Sequence, residues 1–211
     1  VTTAYTYDAY GNLRLKSITD GERSMSAEYT YTENGNYAAS VKDMLGGLTV
    51  LSYNQDNGLL QSVTDPLGNT LTYAYNPSGE LIRVQSGDSQ VVYGYDAAGR
   101  LSTLSVGNML YTAEYNPWGA LAAIKLGNTQ LLANTYSSIA QGCRLLRTAY
   151  ANGQYADYAY TASGRLASIA YNGESAPTFV YSYDDWGNLR SSIDNASGLM
   201  VKYEYDENLS I

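Results

Sequence analysis

The sequence predicts an all-β fold built from antiparallel β-hairpin repeats. Three observations predict it. A tyrosine-led motif returns about every 22 residues, strand-forming residues surround each copy, and no segment shows helical periodicity. Tyr supplies 23 of the 211 residues, against one Phe and two Trp.

The motif reads Tyr-Asp/Asn-x-x-Gly-x-Leu. It runs Tyr7-Asp8-Ala9-Tyr10-Gly11-Asn12-Leu13 and returns from Tyr75 to Leu81, Tyr95 to Leu101, Tyr115 to Leu121, Tyr160 to Leu166 and Tyr183 to Leu189. Weaker copies fill the gaps. The copy at Tyr31 has Tyr37 where Leu is expected. The copy at Tyr53 carries one extra residue before Gly58. The copy at Tyr136 is longer still, reaching Gly142 and Leu145, and Tyr205-Asp206 begins a last one.

Each element follows from its residues. The residue two before the anchor tyrosine is usually Tyr as well (Tyr5, Tyr29, Tyr73, Tyr93, Tyr158, Tyr181, Tyr203). Positions i and i+2 of a strand share a face, so each arriving strand carries a tyrosine pair on one face. Asp or Asn then opens a type I turn, and Gly at the fourth position accepts the left-handed conformation. Pro77 and Pro117 sit at the second turn position, where a fixed φ suits them. These acids are therefore read as turn residues.

Apolar residues of the returning strand fall three apart, as in Leu81/Val84, Leu101/Leu104, Leu121/Ile124 and Leu166/Ile169. A regular strand would put each pair on opposite faces. Either both faces are covered, or a β-bulge restores a single face; the bulge is favoured, because repeated at every hairpin it would curve the sheet in one direction. More variable second turns close the units, at Asp20-Gly21, Asp65-Pro66-Leu67-Gly68, Gly87-Asp88 and Asn172-Gly173. Two strands and two turns in about 22 residues leave strands of about 6–8 residues. The whole chain, 1–211, reads as a single array of about nine repeats. It starts at Val1 without a Met and is expected to be cut from something longer at both ends.

These residues resemble the YD repeat, and the resemblance covers essentially the whole chain. The chain looks like a piece of an RHS/YD-repeat protein, the family of bacterial Rhs polymorphic toxins, wall-associated toxins, Tc-toxin C components and animal teneurins. The resemblance implies one antiparallel ribbon that spirals into a hollow shell, enclosing a C-terminal region that is often a toxin. It also implies a closing core segment that can act as an aspartyl self-protease. No core segment is seen here. Asp65-Pro66-Leu67-Gly68-Asn69 has a passing likeness to the cleavage-site signature, but it occupies the second-turn position of an ordinary repeat, so self-cleavage is not carried over.

Composition excludes several activities. With no His, neither Ser-His-Asp nor Cys-His catalysis nor His-ligated zinc is possible. A single Cys allows no internal disulfide and no Cys-rich metal site. A net charge of −8 with 12 Lys plus Arg makes a poor phosphate binder, so no nucleic-acid partner is expected. No apolar run approaches a membrane span. No cofactor and no metal are expected: Asp184-Asp185 and Asp206-Glu207 lack the calcium-loop pattern. Cys143 reads as a small buried hydrophobe.

The expected role is that of a non-enzymatic shell fragment, secreted or at the cell surface. Its partners are the rest of its own parent chain and the cargo, and the fragment is expected to self-associate. The alternative is a module that binds carbohydrate or a surface protein. Its first candidates for ligand contact are Tyr10, Trp118 and Trp186, each at the third turn position, where a side chain is normally exposed. The irregular units at Tyr53 and Tyr136 are either local bulges or places where the shell touches a partner.

Overall fold

A computed structural model describes residues 1–205. The chain divides into two compact units, Val1–Asn108 and Met109–Ile211. The first holds ten strands: β1 (Thr2–Tyr7), β2 (Leu13–Asp20), β3 (Arg23–Tyr31), β4 (Ala38–Lys42), β5 (Leu48–Tyr53), β6 (Leu60–Thr64), β7 (Thr70–Tyr75), β8 (Leu81–Ser86), β9 (Ser89–Tyr95) and β10 (Leu101–Val106). The second holds β11 (Met109–Tyr115), β12 (Leu121–Leu126), β13 (Thr129–Tyr136), β14 (Leu145–Tyr150), β15 (Tyr155–Tyr160), β16 (Leu166–Tyr171), β17 (Phe179–Tyr183), β18 (Leu189–Asp194) and β19 (Leu199–Lys202). Within each unit every strand pairs antiparallel with the next, an uninterrupted meander. A 3-10 turn over Ile139–Gln141 is the one helical element among the described residues.

The three-residue spacing resolves as a bulge. In β7–β8, Tyr73 pairs with Val84 and Tyr75 with Leu81, so Leu81 and Val84 both lie opposite tyrosines. The same register shift recurs at the other tyrosine hairpins. Within each unit all these bulges sit at the same end of the hairpins, so their bends add rather than cancel.

The two faces differ chemically. One carries the tyrosine pairs and the Leu, Val and Ile that oppose them. The other carries small hydroxyl residues and cross-strand charges. Thr30 and Ser40 share a 2.7 Å hydroxyl bond, as do Ser182 and Ser191. Glu28 pairs with Lys42, and Asp157 takes a two-pronged bond from Arg147. No thick core forms. Ala27, Ala123, Ala156, Ser137 and Thr148 are buried, but no large side chain is fully so among the described residues. Cross-strand side-chain pairs therefore carry the stability of the sheet, at about 0.2–1 kcal/mol each.

The anchor tyrosines add a second bonding system. Below each bulge the ladder to the following strand starts two residues beyond the Leu: Arg83 pairs with Val92, and Ser168 with Val180. The Leu carbonyl lies outside that ladder, and the anchor tyrosine of the next hairpin donates its hydroxyl to it. Tyr31 reaches Leu13 O at 2.9 Å, Tyr95 reaches Leu81 O at 2.8 Å, Tyr160 reaches Leu145 O at 2.9 Å, Tyr183 reaches Leu166 O at 2.8 Å and Tyr205 reaches Leu189 O at 3.0 Å. Leu121 O takes two donors, Tyr136 Oη at 2.8 Å and Asn134 Nδ2 at 2.9 Å. Burial pushes the Tyr160 phenol up from its ordinary 10.0, with Tyr158 adding to the effect, so the hydroxyl keeps the proton it donates. Tyr53 departs from the scheme: it stacks on Tyr37, ring centroids 4.8 Å apart, where other units have Leu.

Charged residues and proline, which blunt an outer strand, are lacking on β1. It pairs with β2 alone among the described residues, and all six of its residues are exposed. Such an edge templates pairing with another chain. The 211-residue chain should therefore self-associate in sedimentation velocity as its concentration rises, and Thr3→Lys should shift it toward monomer. A wild-type chain that stays monomeric at high concentration would refute this.

Candidate functional site

The tyrosine turns, aligned at one end of the hairpins of each unit, are where the candidate side chains lie. Their geometry follows the sequence motif. Asp8 Oδ1 accepts the amides of Tyr10 at 2.9 Å and Asn12 at 2.8 Å, and Gly11 N returns to Asp8 O. Asp96 does the same with Ala98 and Arg100, and Asn76 with Ser78 and Glu80. Where Thr161 replaces the acid, its hydroxyl still accepts the Arg165 amide. Asn116 Nδ2 is left without a partner because Ala120 stands where Glu80 supplies one to Asn76.

The carboxylates are thus consumed by their own turns. Asp65 is the clearest case. Its side chain accepts from Asn69 Nδ2 and from the amides of Leu67 and Asn69, each at 2.8–2.9 Å. Asp43, in the neighbouring Asp-Met-Leu-Gly turn, accepts from Leu45 and Gly47 in the same way. Asp65 is a turn residue of the same geometry as Asp43.

These bonds lower several acids from their ordinary 3.8. The Asn69 side chain holds Asp65 down, and the Arg100 side chain holds Asp96 down. At Asp8 and Asp184 desolvation pushes upward, but the bonds from Asn12 and Tyr10, and from Asn188, Gly187 and Trp186, together outweigh it. A carboxyl lowered by folding stabilises the fold above its unfolded value and ceases to as pH falls through its folded value. With no His in the chain, thermal stability should stay level from about pH 8 to 5 and decline below about pH 4. Thermal melts across that range check this; a decline already under way near pH 6 would contradict it.

The side chain just before Leu in the motif leans across the turn of the next hairpin. Asn12 Nδ2 donates to Gly35 O at 2.8 Å. The Arg144 guanidinium lies 5.6 Å from the Tyr160 ring centre, and Arg165 lies 5.8 Å from that of Tyr183. Both guanidiniums also cover the next turn glycine. A Cβ on Gly164 would meet Arg144 Nη2 at 2.5 Å, and one on Gly187 would overlap Arg165.

The three predicted contact residues fall on tyrosine turns, Tyr10 in the first unit and Trp118 and Trp186 in the second. Tyr10 is 69% exposed, and its ring lies against Gly35 beside a cleft of about 220 Å³. Trp118 is 44% exposed in the β11–β12 turn, and Trp186 is 84% exposed in the β17–β18 turn. Six strand spacings separate the two tryptophans, about 29 Å along the sheet, so the two do not form one small-ligand site.

The irregular units supply the clefts that sequence reasoning did not find. At the Tyr53 turn a cleft of about 220 Å³ lies beside the stacked Tyr37 and Tyr53. At the Tyr136 unit, loop 137–144 borders one of about 620 Å³, lined by Gln141, Arg144, Leu146, Tyr158 and Tyr160 among others. Unit spacing marked both places; cleft shape depends on how the extra residues fold. Cys143 differs from its expected burial. It is half-buried, with a left-handed φ of 51°, because it turns the loop back after Gly142. Among the described residues no three acids or thiols gather to hold a metal ion; Asp206 and Glu207 lie outside them.

Taken together, the motif, bulge and meander define a β-hairpin repeat protein. Residues 53–91 and 75–108 match the family RHS Repeat, so this stretch carries RHS repeats. No curated protein sequence matches it. Among solved structures, it is similar to the Photorhabdus luminescens Tc holotoxin pore with a mutant TccC3, at TM-score 0.59 and 14% identity over 97% of this chain and 15% of that one. It is also similar to TcdB2-TccC3 without its hypervariable C-terminal region, at TM-score 0.53 and 16% identity over 97% and 13%. The chain thus spans about one seventh of the solved chains it matches, and the likeness is one of fold.

Proposed function

We propose that the chain is a stretch of non-catalytic wall, part of an RHS shell that encloses a C-terminal toxin or other cargo in the parent protein. The observation that carries this reading is the stitching of hairpin to hairpin. Tyrosine hydroxyls bond carbonyls beyond the bulges, so within each unit a sheet without a thick core is held as a bent layer. The fold likeness to Tc-toxin assemblies supports it. Secretion or display at the cell surface goes with the same reading. In the parent protein, a non-repeat C-terminal region should resist protease until the repeats are unfolded. Cleavage at the same rate in native and denatured parent would overturn the reading.

A second reading rests on Trp186, whose ring stands 84% exposed at a turn tip. On this reading the repeats bind a glycan or a surface protein through Trp186, Trp118 and Tyr10. A glycan array with the purified chain and its Trp186→Ala and Trp118→Ala variants tests it. Binding lost in the variants supports it, and no binding above background counts against it.

A further inference from the structure

We propose that the cleft beside loop 137–144 is a binding site for a carboxylate carried on an apolar body. The inference stands apart from the shell reading, because it rests on one lengthened unit rather than on the array.

The loop is cinched at its base. Ser137 N donates to Arg144 O at 2.8 Å, and Arg144 N donates to Ser137 Oγ at 2.8 Å. This fixes where the Arg144 side chain starts, and the Tyr160 ring and the Gly164 turn fix where it ends. The guanidinium is therefore held in place before any ligand arrives. It has no carboxylate within 4.0 Å, and no group accepts a hydrogen bond from its side chain among the described residues. Arg100 and Arg147, by contrast, are already bonded to Asp96 and Asp157.

The rest of the lining points the same way. Gln141 Oε1 is already taken by the Ser138 hydroxyl at 3.1 Å, so its amide offers only N–H donors. The Tyr160 hydroxyl is committed to Leu145 O, which leaves Tyr158 as the phenol open to the cleft. No Asp or Glu lines the space. A cleft walled by donors and one positive fork takes an acceptor, and a guanidinium fits a carboxylate with two parallel bonds. Ile139, 69% exposed, and Leu146, 40% exposed, supply the apolar wall for the body that bears it. A volume of about 620 Å³ is enough for a compact organic acid or one or two side chains of a peptide.

The test is a titration of the whole ¹⁵N-labelled chain, following the Arg144 Nε–H and the amides of residues 137–144. The probes are 3-phenylpropionate, its neutral amide, and an acetylated Phe-Glu dipeptide amide. The acid should give saturating shifts at the loop, and the neutral amide should bind at least about tenfold more weakly. Arg144→Gln should weaken the acid by about tenfold or more, while Arg165→Gln, which removes the same stacking one hairpin on, should leave binding intact. Tighter binding of the dipeptide would assign the site to a polypeptide, and tighter binding of the free acid to small metabolite-like acids; both support it. Equal binding of acid and amide to the unaltered chain, or no saturating shift with either the acid or the dipeptide, overturns it without recourse to any variant.

Discussion

Gly187→Ala should destabilise the chain by about 2–3 kcal/mol, while Gly68→Ala should cost about 1–2 kcal/mol. Both glycines have a left-handed φ, 94° and 85°, so both substitutions meet the same backbone strain. Around Gly68 nothing lies within 4 Å of the added carbon. At Gly187 that carbon overlaps the Arg165 guanidinium and drives it off the Tyr183 ring. The difference between the two variants therefore reads the packing of one hairpin onto the next. Urea midpoints at low protein concentration measure it. In an Arg165→Ala background the Gly187→Ala cost should fall toward that of Gly68→Ala. Equal costs at the two glycines in the unaltered chain would show that Arg165 contributes no packing there.

Removing hydroxyls from the tyrosine seam has a comparable effect. Tyr95→Phe, Tyr160→Phe and Tyr183→Phe each keep the ring but uncap the Leu81, Leu145 or Leu166 carbonyl. Each should cost about 1 kcal/mol, and the triple variant about 3, since the sites share no partner. Tyr136→Phe should cost less, because Asn134 still donates to Leu121 O. Tyr75→Phe is the control. Its ring is half-buried, but its hydroxyl makes no such bond among the described residues. If Tyr75→Phe costs as much as Tyr183→Phe, the hydroxyl bond is not what holds the hairpins together.

Much of this was legible in the sequence, because it is written in local chemistry. Asp-x-x-Gly specifies its turn through bonds spanning four residues. The odd spacing of Leu81 and Val84 leaves a bulge as the way to keep one face. What lay beyond reading were the contacts between units. A run of tyrosines shows strand propensity and a shared face. It does not show that each bulge leaves a carbonyl outside the ladder, within reach of the following hydroxyl. Nor does Gly-Arg-Leu show that Arg165 will cover a glycine 22 residues further on. The cleft at loop 137–144 was visible only as broken spacing, since its walls come from β14, β15 and a 3-10 turn that the repeat pattern does not encode.

The seam has a direction. Where the seam is made, a hairpin carries a plug, the tyrosine hydroxyl, and a socket, the carbonyl beyond its own bulge, and the plug enters the socket of the hairpin before it. A module of about 22 residues copied in register brings one of each, so its insertion closes both new joints without any change in its neighbours. Length in such a protein can change by whole modules through duplication or loss of a segment of gene, while a cut elsewhere in the period strands a plug or a socket.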